Sequence, residues 1–380
     1  MLFPRRMQSK LHAETDYRVK RRRINTPTCR VSLAEKWLFG GPVHVQGVCD
    51  LIAAYAKELK GICAHTLVGH SEGVGCLAVL PHGMIASGSG DRTVRVWDAM
   101  TGECVLVLEG HTGSVFALSV LPDGKLASGS EDHTVRVWDT GSGSCLFTLE
   151  GHTSYVTCLA VLSDGKLASG SWDGTARVWN DDACLRALIA GHTGSVQCLA
   201  ALPDSKLAVA SHDYMVRVWD TVGGLCLRTL AGHTNEVTSL IVLPCGNLAS
   251  SSLDNTVRVW YIVNGACLTL VGHTESVRAL ALLPDGKLVS GSSDNTVRTW
   301  DIVHGQCVST LQSHSRVWCL AVLPDGKLAS GTHDGEITVW ENGARVLALK
   351  GHPLLVYGLA VLPGGALASC SADHSVRVWH

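Results

Sequence analysis

Along most of the chain, apolar and polar side chains alternate in short runs, and turn residues cut these runs at regular intervals. The stretch from Gly110 to Asp139, GHTGSVFALSVLPDGKLASGSEDHTVRVWD, shows the unit. Residues 114–121 alternate and stop at Pro122, and Asp123-Gly124 is a strong hairpin signal. Residues 125–130 predict a second strand and 134–138 a third. Residues 145–149 predict a fourth, after a Gly-rich turn at 141–143. Strands of about five residues separated by short turns predict an all-β repeat.

Copies of this unit run to the end of the chain. Gly-His stands at 69–70, 110–111, 151–152, 191–192, 232–233, 272–273 and 351–352, and Ser313-His314 fills the remaining place. Trp follows at 97, 138, 179, 219, 260, 300, 340 and 379, with an Asp six residues before each. The interval from His to Trp is 27 residues in seven units and 26 in the seventh. A period near 40 with a Gly-His lead and a Trp-Asp close resembles the WD-repeat β-propeller family. Trp-Asp itself closes units one, two, four and six, while Asn180, Tyr261, Glu341 and His380 replace the Asp elsewhere.

The resemblance covers 62–380 and implies offset closure, in which each blade takes its fourth strand from the start of the next repeat. Residues 62–67 would then pair with the last strand, giving a single closed propeller of eight four-stranded blades. Closure removes the open sheet edges that invite aggregation. The resemblance also implies a buried hydrogen-bonded tetrad in each unit, for example His111, Ser128, Asp132 and Trp138. Two positions offer the Ser/Thr member. Family likeness favours the one four residues before the Asp, where unit four has Val209. Two residues before the Asp, all eight units have Ser or Thr. Ser, His and Asp also invite a hydrolase reading, but a catalytic triad occurs once in a chain, not eight times.

The repeated positions state the fold, so function is expected where the copies differ. Three offsets face the tetrad-side loops: the two residues flanking the Val after Gly-His, and the residue before the Asp. Aromatic and Arg residues there are candidate partner-binding anchors. They form two sets, one of Phe116, Tyr155 and Trp172, the other of Arg278, Arg316, Trp318, His333 and Tyr357. The Arg two residues before Trp recurs in seven units and is read as a solvated strand face.

Composition adds bounds. The chain is 46% hydrophobic and 17% charged, which fits a packed globular body. Residues 1–40 hold ten Lys/Arg against three Asp/Glu, whereas 61–380 hold nineteen against twenty-eight. The acidic repeat body argues against nucleic-acid binding. Residues 1–31 are expected to be a basic, disordered tail containing Lys20-Arg21-Arg22-Arg23. Residues 32–61 are expected to be a short helical segment, with a capping box at Ser32 and Glu35 and an amphipathic helix over 47–60. That helix either covers the propeller or docks an adaptor.

Fifteen Cys include no C-x-x-C pair, so no disulfide framework is expected. Seven of them (Cys63, Cys104, Cys145, Cys184, Cys226, Cys267 and Cys307) share one repeat position and are read as small buried side chains. No membrane span, metal cluster, phosphate loop or cofactor motif is present in the sequence. The expectation is a non-enzymatic protein-interaction scaffold, cytoplasmic or nuclear, that binds other proteins or peptides and has no small-molecule substrate. The alternative is a substrate- or ubiquitin-binding subunit in ubiquitin-dependent turnover, since such propellers resemble those of F-box and ubiquitin-binding WD-repeat proteins.

Overall fold

The computed structural model describes residues 61–180, 183–188 and 192–380. The expected tail at 1–31, and all of the expected helical segment at 32–61 except Gly61, lie outside the described residues. The described chain folds into eight four-stranded antiparallel sheets. Blade 2 is representative: Val115–Val120 is innermost, followed by Leu126–Ser130, Val135–Trp138 and, outermost, Cys145–Leu149. Each innermost strand packs beside the innermost strands of the two neighbouring blades, and the eighth returns to the first. Blade 8 consists of Val356–Val361, Leu367–Ser371, Ser375–Trp379 and, from the other end of the chain, Cys63–Val68. Cys63 lies opposite Trp379 and Val68 opposite Ser375. Ile62 and His380 exchange two backbone hydrogen bonds of 2.9 Å.

The apolar core is divided among the spaces between blades. Val94, Val96 and Leu108 of blade 1 pack on Val115, Leu126 and Trp138 of blade 2. Leu67, Val376 and Val378 of blade 8 pack in the same way on Val74, Ile85 and Trp97 of blade 1. The second strand of each blade is buried on both faces, which is why it reads LASGS instead of alternating. Neighbouring blades approach so closely there that a Cβ on Gly129 would lie 2.8 Å from Val156 Cγ1, so glycine fits and larger residues do not.

Polar groups tie each blade together at one end. Trp138 Nε1 donates to Ser128 Oγ at 2.8 Å, Ser128 Oγ lies 2.7 Å from His111 Nε2, and His111 Nδ1 lies 2.7 Å from Asp132 Oδ2. The indole can only donate and the carboxylate only accepts, so the serine hydroxyl donates to Nε2 and the Nδ1–H donates to Asp132. Thr134 Oγ1 and the backbone N–H groups of Thr112 and Thr134 complete the carboxylate's partners. Burial opposes the charge on Asp132, but hydrogen bonds from His111 and Thr134 outweigh it and hold the carboxyl well below its ordinary range. The same chain of contacts recurs in blades 1, 3, 5, 6 and 8. The hydroxyl four residues before the Asp is therefore the one in the network. The hydroxyl two before it, Ser130 in blade 2, instead bonds Gly113 C=O and accepts from Asp132 N–H, bracing the loop.

Blades 4 and 7 depart from this scheme. In blade 4, Val209 removes the central hydroxyl, leaving His192 Nε2 and Trp219 Nε1 buried without partners. Arg217 turns inward and places Nη1 2.7 Å from Asp213 and 2.8 Å from His192 Nδ1, which pushes His192 and Asp213 apart to 3.7 Å. Burial first, and then Arg217, lowers the His192 imidazole to about 4.

In blade 7, His314 does not take the expected tetrad place. Its side chain is 62% exposed and faces Arg345 and Glu336, while Ser330 turns its hydroxyl to Thr338 C=O and still accepts from Trp340. Four linked replacements cause this. Ser313 stands for Gly, Glu336 for the Thr after the Asp, Thr338 for the Arg before Trp, and Arg345 for the Cys opposite Trp. Arg345 and Glu336 pair at 2.9 Å and draw His314 outward.

The recurring Arg is not the solvated strand face expected from sequence. Arg95, Arg136 and Arg258 lie about 6 Å over the Trp rings of their own strands, and their Nε atoms are buried without partners. A Cβ on Gly110 would lie 2.9 Å from Arg136 Nη1, so the Gly of Gly-His makes room for the guanidinium. Blade 7 lacks that Arg, and it alone carries Ser in place of the Gly.

Asp132→Ala should cost about 1–3 kcal/mol by leaving His111 without its acceptor, whereas Asp334→Ala, at the exposed and His-free site of blade 7, should stay within about 0.5 kcal/mol of wild type. Urea unfolding of both variants checks the contrast, and equal losses would contradict it. Val209→Ser should instead stabilise by about 1 kcal/mol, because it supplies an acceptor for Trp219 and a donor for His192. An unchanged melting temperature would show that Arg217 has already compensated. The depressed carboxyls include Asp91, Asp132, Asp173, Asp254, Asp294 and Asp373, and burial also lowers His70 and His273. The unfolded chain therefore binds more protons than the folded one as pH falls. Stability should be complete above about pH 7, decline as unfolded His residues protonate below about 6.5, and fall steeply below about 4. Thermal melts across pH 3–9 read this directly, and a maximum near pH 5 would contradict it.

Candidate functional site

The three variable offsets meet on one face because the backbone joins them. In every blade, the N–H of the residue before the Asp donates to the C=O of the residue preceding the Val. Glu131 N–H bonds Ser114 C=O at 2.8 Å, Trp172 bonds Tyr155 at 2.9 Å, and His333 bonds Arg316 at 2.9 Å. The residue after the Val is a β-bulge. Val115 pairs with Ser130 and Ala117 with Gly129, so Phe116 is left out of the ladder. The same irregularity frees Gly75, Thr157, Gln197, Thr238, Arg278, Trp318 and Tyr357. A bulge re-aims its side chain away from the sheet, so the positions that differ most between blades are the ones released from pairing. Two of these, Thr157 and Thr238, are structural: their hydroxyls donate to the C=O of Val196 and Val277 in the next blade.

Two clusters stand on this face. In blades 2 and 3, Tyr155 is the centre, with ring centroids 6.1 Å from Phe116, 5.1 Å from Trp172 and 6.0 Å from His133. Phe116 is 40% and Trp172 45% exposed, high values for large aromatics in a folded chain. Glu131 borders the group and accepts from the hydroxyl of Ser114 at 2.8 Å. Hydrogen bonding to Glu131 raises the Tyr155 phenol, and hydrogen bonds from Ser114 lower the Glu131 carboxyl. His133 was missed in the sequence reading because it lies one residue beyond the Asp, outside the three offsets. It reaches Tyr155 from a left-handed turn at φ 72°.

In blades 6 and 7, the Arg278 guanidinium stacks 4.4 Å over the Trp318 ring and its Nε donates to Ser293 Oγ at 3.2 Å. Burial and the nearby positive charge of Arg316 lower the Arg278 guanidinium from its ordinary value. Arg316 is exposed, and His333 hangs from its carbonyl. Neither guanidinium has a carboxylate at ion-pair distance among the described residues. Tyr357 stands apart from this group. Its ring leans over Gly73 of blade 1, close enough that a Cβ there would sit 4.0 Å from Tyr357 Cε2. In a ring of eight, blades 2 and 3 lie across the central channel from blades 6 and 7, so the aromatic and cationic clusters face each other.

Among the described residues, no group of three His, Cys, Asp or Glu side chains is placed to hold a metal ion, and no helix is long and apolar enough to cross a membrane.

Comparison with known proteins gives three findings. The WD domain, G-beta repeat family matches this chain eight times, over residues 61–98, 102–139, 143–180, 183–220, 224–261, 265–301, 305–341 and 343–380. The chain is similar to a Notchless protein homolog of Arabidopsis thaliana, with 52% identity over 40 residues, 10% of this chain and 8% of that protein. It thus spans only a small part of the length of that curated relative. Among solved structures it is similar to the computationally designed Ika8 protein, at a TM-score of 0.76 and 34% identity, covering 84% of this chain and 99% of that one. The family matches tile the ring, each running from the outermost strand of one blade through the third strand of the next, and the chain belongs to the WD-repeat family as an eight-bladed β-propeller.

Proposed function

We propose that this protein is a non-enzymatic interaction scaffold whose tetrad-side face grips an acidic segment of a partner protein. WD-repeat propellers generally act by binding other proteins, and this chain departs from its own repeat where binding groups gather. The observation that carries the reading is the Arg278–Arg316 pair. Two guanidinium groups of like charge lie close together, one held flat on Trp318, and although Glu236 partly offsets the charge on Arg278, no carboxylate stands at ion-pair distance from either among the described residues. Such an arrangement costs free energy in the isolated protein and is relieved when an anionic group bridges the two. The fixed plane of Arg278 favours a carboxylate or phosphoryl group, which can accept two parallel hydrogen bonds. Across the channel, Phe116, Tyr155 and Trp172 offer a second anchor of a different kind, an apolar and aromatic surface suited to a large side chain of the same partner.

The Ser-His-Asp sets of blades 1, 2, 3, 5, 6 and 8 do not support an enzyme. Their serines are buried and each accepts from a tryptophan, so none is presented to a substrate.

Quantitative affinity purification of the full chain, comparing wild type with Arg278→Ala/Arg316→Ala, tests the proposal. The double variant should lose its principal partners by about tenfold or more, with the losses enriched in proteins bearing acidic or phosphorylated segments. An unchanged partner list would remove this face from consideration. Enrichment of ubiquitin-pathway components in the wild-type list would assign the scaffold to protein turnover.

A further inference from the structure

The seven cysteines expected to be small buried side chains are not buried. Cys104, Cys145, Cys184, Cys226, Cys267 and Cys307 are exposed and Cys63 is half-buried. The enclosed thiols are others, on the inner strands. Burial pushes Cys76, Cys158 and Cys319 up to about 12 and drives Cys198 and Cys370 well above the ordinary thiol range. The inner set is held protonated and unreactive.

The outer set has a different neighbour. Arg Nη1 donates to an exposed Sγ in five blades: Arg95 to Cys104 at 3.7 Å, Arg136 to Cys145 at 3.6 Å, Arg177 to Cys184 at 3.7 Å, Arg258 to Cys267 at 3.5 Å and Arg298 to Cys307 at 3.7 Å. In blade 8, Arg377 donates to half-buried Cys63 at 3.9 Å and also to Thr66 Oγ1 at 3.2 Å. In each of these arginines Nε is buried without a partner, and no carboxylate stands at ion-pair distance among the described residues. Five half-buried positive charges therefore have one sulfur apiece as side-chain acceptor. A neutral thiol is a weak acceptor, whereas an anionic sulfur would neutralise the guanidinium it touches. The sixth exposed position is a control built into the fold. Arg217 has turned inward to Asp213 and His192, so Cys226 keeps its exposure and the bond to the C=O two residues on that Cys104, Cys145, Cys184 and Cys307 also make, but has no guanidinium contact. Cys245, exposed in a loop beside Asn247, is a second control.

We propose that Cys104, Cys145, Cys184, Cys267 and Cys307 form a perimeter belt of guanidinium-paired thiols that undergo exchange with low-molecular-weight disulfides such as glutathione disulfide. Each thiol gives its proton to solvent. The anionic sulfur attacks one sulfur of the disulfide, the new S–S bond forms as the old one breaks, and the departing thiolate takes up a proton. Each event leaves a mixed disulfide on an outermost strand, away from the tetrad-side face, and adds the carboxylates of the glutathionyl group beside the arginine.

The test treats the folded full-length protein with glutathione disulfide near pH 7.4, quenches by acid, and follows occupancy at each cysteine by peptide mass spectrometry. The five paired cysteines should be modified about threefold or more faster than Cys226 and Cys245. Equal rates at paired and unpaired exposed cysteines, or no modification of the five, would overturn the proposal. That comparison needs no variant. Arg136→Gln adds a local check: Cys145 should slow to the Cys226 rate while Cys104 and Cys267 keep theirs. A Cys145 rate that survives the substitution would show that exposure alone governs the chemistry.

Discussion

The structure depends on one buried hydroxyl in each regular blade. Ser128 and its equivalents sit between an indole that can only donate and an imidazole whose other nitrogen is committed to a carboxylate. That hydroxyl links the second and third strands of its own sheet to the loop that enters the sheet and the turn that leaves its second strand. Four chain segments are thus fixed by a single atom with no direct access to water, and the mutual dependence makes the network resistant to partial loss. A blade that keeps it presents its neighbouring loops in the same pose as every other blade. This is why the positions around it are free to differ without altering the ring.

Blades 4 and 7 show what happens when the network is altered. Neither collapses, because the apolar space between blades is filled by the same Val, Leu and Trp side chains throughout. The polar groups instead find other arrangements. An arginine enters one network and a histidine leaves the other, and each displaced group changes the local charge. The irregular blade 7 also carries Arg316, Trp318 and His333, so loss of the regular polar network coincides with the cationic half of the candidate binding face.

Much of this was legible in the sequence. The spacing of Gly-His, Asp and Trp predicts eight units, and the resemblance to WD-repeat propellers implies closure by a strand from the other end of the chain. The tetrad serine was left open because two hydroxyl positions keep step with the repeat, and only geometry separates the one under the indole from the one bracing the loop. The β-bulge has no residue signature, since Gly, Phe, Thr, Gln, Arg, Trp and Tyr all occupy it, yet it decides which variable side chains are aimed outward. The reading of the cysteines and arginines failed for a common reason. Regular recurrence reads as burial in one case and as solvation in the other, whereas the two side chains meet each other in every blade but 4 and 7. The exchange of Gly and Arg for Ser and Thr in blade 7 was visible as two separate oddities, and becomes one event only when Gly110 is seen to make room for a guanidinium.

The seam between Cys63–Val68 and Ser375–Trp379 joins segments more than three hundred positions apart in the sequence. All other strand pairings lie within a span of about 35–40 residues, short enough to form as soon as a blade has been made. A ribosome therefore releases seven self-sufficient sheets in succession, while the eighth waits for Ser375–Trp379, and Leu67 of the earliest-made strand has no Val376 and Val378 to pack beside. During that interval the growing chain is an open arc with a sticky edge at each end, and its most vulnerable moment comes just before synthesis reaches Trp379.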